Sequence, residues 1–213
     1  GKGKEMVDKL TKLIAIFEKP ALNFVSNNSE GDDILGDAYE YLMRHFATES
    51  GKSKGQFYTP AEVSRILAQV IGIGEVETSS RTTAYDPTCG SGSLLLKVGA
   101  EAQADITLYG QEMDSATSGL ARMNMILHDV HYSRFDIRNE DTLEHPAAEH
   151  AEKRFEAIVA NPPFSAKWSA SAVLENDDRF AAYGKLAPKT KADFAFVQHM
   201  IHHLDDHGTM ACV

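Results

Sequence analysis

Cysteine is scarce in this 213-residue chain. Cys89 and Cys212 are the two, far apart and without the paired spacing of a zinc site. That excludes a disulfide framework, and a reducing cytoplasmic compartment is the simplest setting. Long apolar runs are missing as well. No stretch approaches the roughly 20 residues that cross a bilayer, and no secretory leader is visible, so no membrane partner is expected. Basic charge is short: 21 Lys and Arg face 31 Asp and Glu, a net charge of −10. A chain of this charge does not grip nucleic acid by bulk electrostatics; other chains would have to neutralise the phosphates. Internal repeats and low-complexity segments are absent too. What remains, 43% hydrophobic and 24% charged, is an ordinary globular composition with enough chain for a sizeable core.

Two textures divide the sequence. Residues 5–50 read as helical; in "DDILGDAYEYLMRHF" Ile34, Leu35, Ala38, Tyr41, Leu42 and His45 follow a helical period after Asp32 as N-cap. A basic loop, "GKSKG" (51–55), precedes a second domain over 51–213. There, patterns alternate: helix 61–71, strand 82–86, helix 93–104, strand 105–112, helix 115–129, a short segment before "NEDTL", and strand 155–160. A polar loop runs to about 190, followed by helix 193–206 and a last strand opening after Gly208. Such alternation predicts an open, Rossmann-like α/β parallel sheet with helices on both faces and a ligand at the carboxyl ends of its strands. The closing "GTMACV" reads as an unfinished strand, so the domain is expected to be C-terminally incomplete.

Polar clusters stand at four successive strand ends. The first is Asp86-Pro87-Thr88-Cys89-Gly90-Ser91-Gly92, a glycine turn that lets a ligand approach the backbone. Leu95 occupies the place where a third glycine would complete a dinucleotide fingerprint, so NAD is disfavoured. Glu112 ends the next strand, 26 positions after Asp86, a spacing suited to accepting the hydroxyl protons of a ribose. Asn139-Glu140-Asp141-Thr142-Leu143 follows, with Asp141 placed to accept from an adenine amino group and Leu143 to pack on the ring. Glycine turn, ribose acid and adenine acid, with no pyrophosphate cradle, describe a pocket for S-adenosylmethionine.

The fourth cluster, Asn161-Pro162-Pro163-Phe164, then faces the methyl group. An exocyclic amine on a base or an amide is a poor nucleophile, because its lone pair is delocalised. The Asn161 side-chain oxygen and the Pro162 carbonyl can each accept one of its N–H bonds and hold the nitrogen in line with the methyl. Two prolines, Pro162 and Pro163, stiffen that geometry. Phe164 offers a face for a planar group, as a flipped base needs. No metal is required.

Together "GQFYTP" (55–60), "DPTCGSG" (86–92), "LYGQE" (108–112), "ARMNMILH" (121–128), "EDTL" (140–143) and "NPPF" (161–164) resemble the N6-adenine DNA methyltransferases, and within them the modification subunit of type I restriction-modification systems. The resemblance implies a site-specific, adenine-N6-specific DNA methyltransferase acting on double-stranded DNA. It implies partners as well: a specificity subunit, a second modification subunit and, in the full complex, a restriction subunit. It adds Gln56, Phe57, Tyr58, Thr59 and Pro60 as cofactor contacts beside Asp86, Thr88, Gly90, Ser91, Gly92, Glu112, Asp141, Thr142, Leu143 and Asn161.

Several features invite other readings. Gly51-Lys52-Ser53 lacks the upstream glycine of a phosphate loop, since Phe46 holds that place. His199, His202, His203 and His207 share a helical spacing that reads as a polar helix face rather than a metal face. Cys89 reads as a packing residue, and Trp168 fits either a base-side loop or simple packing. Rival functions are a combined restriction-methylation enzyme, a methyltransferase for a protein glutamine amide, and a binding module with a methylase-like fold.

Overall fold

The strand-forming runs are short and buried on both faces, the pattern of a parallel sheet covered by helices. The computed structural model describes residues 2–19, 38, 39, 41, 42, 45 and 59–213. Its sheet holds β1 (Thr83–Asp86), β2 (Thr107–Gln111), β3 (Phe135–Arg138), β4 (Phe155–Ala160) and β5 (Leu204–Cys212), in the spatial order β3-β2-β1-β4-β5. Every pairing is parallel, with Tyr85 in register with Tyr109 on one side and Ile158 on the other. The strand order reverses beside β1, so a crevice opens at the carboxyl ends of β1 and β4.

Helices cover both faces, and alternation along the strands decides which residues meet them. Helices α2 (Ala61–Val70), α3 (Ser93–Glu101) and α4 (Ser115–Leu127) pack Leu67, Leu95, Val98, Ala121 and Met125 on Ala84, Leu108, Ala157 and Val159. Tyr85, Ile158 and Ala160, one residue out of phase, meet Met200 of α5 (Asp193–His203) on the other face. Helix α1 (Lys2–Phe17) lies ahead of these elements, with Met6, Leu10 and Ile14 exposed. Of the helix expected over 32–45, residues 38, 39, 41, 42 and 45 are helical; its other residues, and the loop 51–55, lie outside the described residues.

Several boundaries differ from the sequence expectation. Helix α3 stops at Glu101, because Ala102 turns extended and the next residues are held elsewhere: Gln103 donates to the Gly74 carbonyl and the Ala104 N–H to Thr78. The segment before "NEDTL" is a full sheet member, β3. Helix α5 ends at His203 rather than 206, and β5 begins at once, with Leu204 paired to Phe155. The run 165–192 is no featureless loop. Two 3-10 turns, Ala172–Asn176 and Ala181–Tyr183, fold it over its own core of Trp168, Leu174, Phe180 and Ala187, packed against Leu143 and Phe196.

Candidate active site

The turn after β1 is fixed from three directions. Asp86 is buried and its Oδ1 accepts the Thr88 N–H at 2.8 Å. The Cys89 N–H donates to the Gln111 carbonyl, while Asn124 of α4 donates to the Ser91 carbonyl at 3.0 Å. Gly92 has φ +80°, which favours glycine, and a Cβ there would lie 2.8 Å from the tip of the Met125 side chain, which would have to move aside. Gly110 is needed for proximity: a Cβ would lie 2.9 Å from the Cys89 sulfur. Cys89 is a packing residue, and burial pushes its thiol well above the usual range.

From the end of β2, Glu112 reaches back to this turn. One carboxylate oxygen accepts the Gly90 N–H at 3.1 Å and the other the Asp114 N–H at 2.8 Å. Each oxygen keeps a lone pair for a ligand. Asn139 donates to the carbonyls of Glu112 and Met113 and so ties the loop after β3 to the loop after β2. Asp141 caps its own turn, accepting from the N–H groups of Leu143 and Glu144. Buried Gln111 donates to the Thr142 hydroxyl at 2.9 Å, which in turn donates to the Pro87 carbonyl. Arg179 braces the same loop from behind, donating to the carbonyls of Thr142 and Leu143 at 2.7 and 2.9 Å while its charge meets Asp177.

Asn161 stands just past β4. Its Nδ2 donates to the Thr59 hydroxyl at 3.3 Å, and its Oδ1 is buried without a hydrogen-bond partner. Pro162 is buried, and the Pro163 carbonyl accepts the Ala166 N–H. The chain then turns sharply at Ser165, φ +54°, where the Asp193 carboxylate takes the Ser165 N–H at 3.0 Å. Phe164 points outward, 63% exposed.

These pieces enclose a cleft of about 510 Å³. Thr88, Glu112, Asp141, Thr142, Leu143, Asn161 and Pro163 line it, so residues from all four strand ends converge on one space. Asp86, Gly90, Ser91, Gly92, Pro162 and Phe164 are next to the cleft in sequence but outside its lining. Thr59 reaches the site through Asn161 and Pro60 caps α2, while Gln56, Phe57 and Tyr58 lie outside the described residues. The sequence reading missed Gln111, Met113, Asp114, Thr117 and Phe196, which also line the cleft. Asp114-Ser-Ala-Thr117 did carry a signal, since an Asp three residues before a hydroxyl is a helix N-cap pattern, and its side chain takes the Thr117 N–H. Trp168 lines the cleft and also packs on Phe180, with its indole N–H on the Pro188 carbonyl. A larger depression of about 660 Å³ between α3 and the loop after α4, lined by Lys97, His128 and Arg134, holds none of the strand-end acids.

Electrostatics single out the first two strand ends. Burial pushes the Asp86 carboxyl up to about 7, against the lowering pull of the Thr88 N–H and hydroxyl; nearby Glu112 adds to the rise. Burial also raises Glu112, opposed by the Asp114 and Gly90 N–H groups. Among the described residues, no group of three or more His, Cys, Asp or Glu side chains is placed to hold a metal ion. The histidines of α5 correct the expectation of a polar helix face. His199 and His203 are buried against the sheet, where the Tyr85 hydroxyl meets His199 and the Lys153 carbonyl meets His203. They share their face with Phe196 and Met200, and burial drives both imidazoles toward the neutral form, His203 to about 4.

Known proteins resemble this chain in sequence and fold. The family model for N-6 DNA methylases matches residues 30–213. The methylase subunit of the type I restriction enzyme MpnII of Mycoplasma pneumoniae is 42% identical over 97% of this chain and 39% of its own length. The corresponding HindI subunit of Haemophilus influenzae is 35% identical over 96% of this chain and 46% of its own. A crystal structure of a type I restriction-modification methyltransferase subunit from Streptococcus thermophilus superposes with TM-score 0.78 and 45% identity, covering 87% of this chain and 39% of that one. The chain thus spans less than half the length of these relatives. The strand-end cleft lies wholly within the matched residues, and the chain belongs to the N-6 DNA methylase family.

Proposed function

We propose that this chain carries the catalytic part of an adenine-N6 DNA methyltransferase, the modification subunit of a type I restriction-modification system. The observation that carries this reading is the convergence of Glu112, Asp141, Leu143 and Asn161, from three successive strand ends, on one cleft. The donor set fits S-adenosylmethionine. Glu112 has lone pairs for a ribose diol, Asp141 an acceptor for the adenine amino group, and Leu143 and Phe196 apolar surface for the ring. Bound there, the cofactor supplies an electrophilic methyl group on a positively charged sulfur. Asn161 Oδ1 and the Pro162 carbonyl accept the two N–H bonds of the target amine and hold its nitrogen toward the cleft, while the exposed Phe164 ring stacks the flipped base. The amine releases its surplus proton to water. Residues 1–50 belong to the end of an N-terminal helical domain and 51–213 to the catalytic domain. The assembly joins two such subunits, a specificity subunit that reads the DNA and a restriction subunit, in the cytoplasm. No helix among the described residues is long and apolar enough to cross a membrane.

The test is methyl transfer from labelled cofactor to adenine in duplex DNA by the full-length protein in its assembly. Asn161→Ala is expected to lower turnover by about 10²-fold or more, the scale of a lost transition-state contact, and to change cofactor affinity far less, as read by calorimetry, because Asn161 is one of many expected cofactor contacts while its amide is assigned to the target amine. Normal turnover by that variant would sink the assignment.

A further inference from the structure

The segment that follows Phe164 gathers positive charge in an acidic chain. Between Asp178 and Asp193 no acidic residue occurs, while Lys185, Lys189 and Lys191 do. Folding brings the last two beside Lys167. The Trp168 N–H donates to the Lys189 carbonyl at 3.1 Å and the Ala192 N–H to the Ala166 carbonyl at 3.0 Å, so 166–168 and 189–192 run alongside each other. Lys189 stands in a turn closed by the Lys191 N–H on the Pro188 carbonyl. Trp168, Ala187 and Ala192 are buried beneath, and the Trp168 indole N–H pins the same carbonyl from inside. Lys167, Lys189 and Lys191 are left exposed on the outer side. Among the described residues none of the three forms an ion pair. Two acids beside the segment are engaged elsewhere: Asp193 takes the Ser165 N–H, and Glu144 takes the N–H and hydroxyl of Ser169. Like charges gathered without a counter-charge repel one another, so the arrangement gains nothing for the fold and suits an anionic ligand.

Its position narrows the anion. Lys167 lines the strand-end cleft together with Asn161 and Pro163. Phe164 and Phe194, 63% and 73% exposed, stand on either side of the Ser165–Asp193 bond at one end of the paired segments. Lysines beside exposed aromatic rings match a nucleic-acid strand, with phosphates for the charges and bases for the rings. We propose that Lys167, Lys189 and Lys191 contact the DNA phosphates that flank the extruded adenine. This rests on the methyltransferase reading of the cleft. It gives an acidic chain a local grip on DNA at the place where the strand is opened, while partner chains supply the long-range attraction.

The test is a salt titration of DNA binding by the full-length protein in its assembly, followed by fluorescence anisotropy between about 50 and 200 mM salt. The triple variant Lys167→Gln, Lys189→Gln, Lys191→Gln is expected to show a log–log slope shallower by about 0.9 for each lysine, and a DNA Kd raised about tenfold or more at about 150 mM salt. The triple Lys→Arg variant restores the slope. Cofactor Kd, read by calorimetry as the check of folding, is expected to stay within about twofold, because the charges are assigned to phosphate. Lys97→Gln, in the depression where β2 begins, is expected to leave the slope unchanged. A wild-type slope in the triple Gln variant would overturn the proposal. So would a Lys97→Gln effect as large as that of Lys167→Gln, which would mean bulk charge alone. Weaker cofactor binding with an unchanged slope would overturn it in favour of a cofactor contact. A triple variant that binds cofactor yet no longer assembles, by gel filtration, would overturn it in favour of docking to an acidic protein surface. Labelled methyl transfer keeps the two ideas apart. A wild-type assembly that methylates no adenine removes the reading of the cleft and this proposal with it. A methylating assembly whose salt slope ignores the three lysines removes this proposal alone.

Discussion

Two carboxylates give the cleft opposite tasks at the scale of single residues. Glu112 is satisfied by two backbone N–H groups before any ligand arrives, so its geometry is preset. Glu112→Ala removes the carboxylate proposed to accept from the ribose diol and the brace on the Gly90 turn. Cofactor affinity is expected to fall by about tenfold or more, the worth of a hydrogen bond to a charged group, as calorimetry on the full-length protein would read. Asp86 is costly instead. Its carboxyl is raised from 3.8 to about 7, so the stability it permits is fully present below the unfolded value and is lost as pH rises toward 7. The slope is at most about 1.4 kcal/mol per pH unit across that window. Asp86→Asn keeps the acceptor for the Thr88 N–H and removes the titration. Ligand-free Asp86→Asn is expected to melt higher than wild type at pH 8 and no higher at pH 4, in paired thermal scans. Equal melting temperatures at both values would mean that burial does not strain this carboxylate.

At the scale of elements, Arg179 does what no strand does: it binds the cofactor-side loop to the segment after Asn161. One buried guanidinium donates to the carbonyls of Thr142 and Leu143, to Asp177 and to His199 Nδ1. Arg179→Met leaves those acceptors buried and Asp177 without its partner. A loss of about 3–5 kcal/mol in urea unfolding is expected, the cost of breaking a buried charged network from one side, together with weaker cofactor binding. A loss below about 1 kcal/mol, the worth of a surface pair, would relegate the network to decoration. Nothing in sequence announced it. Arg179 stands in a polar stretch that reads as loop, and only folding brings it under Thr142. The strands were legible because "TTAYD" and "FEAIVA" are short apolar runs closed by turn residues, and the strand-end acids were legible because that topology gathers them. The histidines of α5 were misjudged for a physical reason. A lone imidazole looks polar until its two nitrogens find buried partners, and Tyr85 lies 114 positions away from His199.

At the scale of the whole molecule, charge governs the approach to DNA. The 213 residues carry a net charge of −10, which repels a phosphate backbone; under the proposed function, basic partners would supply the attraction. Full-length protein without partner subunits is expected to bind duplex DNA weakly at about 150 mM salt. The assembled complex should bind with a log–log salt slope near −0.9 for each phosphate neutralised. Fluorescence anisotropy between about 50 and 200 mM salt measures both, and tight salt-steep binding by the lone subunit would contradict the division of labour. The acidic balance was visible in composition, whereas the closeness of Thr59 to Asn161 was not, since it depends on a contact spanning half the chain.

The strand order has a consequence for how such a chain is made. β1 ends at residue 86 and lies at the centre of the finished sheet, yet one of its two neighbours, β4, begins only at residue 155. Throughout synthesis of the intervening segment, one side of β1 is an open ladder of N–H and C=O groups, able to pair with whatever strand comes near. Closing so long a loop is slow, and parallel pairing of distant segments is where nascent chains aggregate. Slower translation between α3 and β4 would lengthen that exposure, which makes the yield of soluble protein sensitive to codon choice in a stretch whose own strands, β2 and β3, lie on the other side of β1.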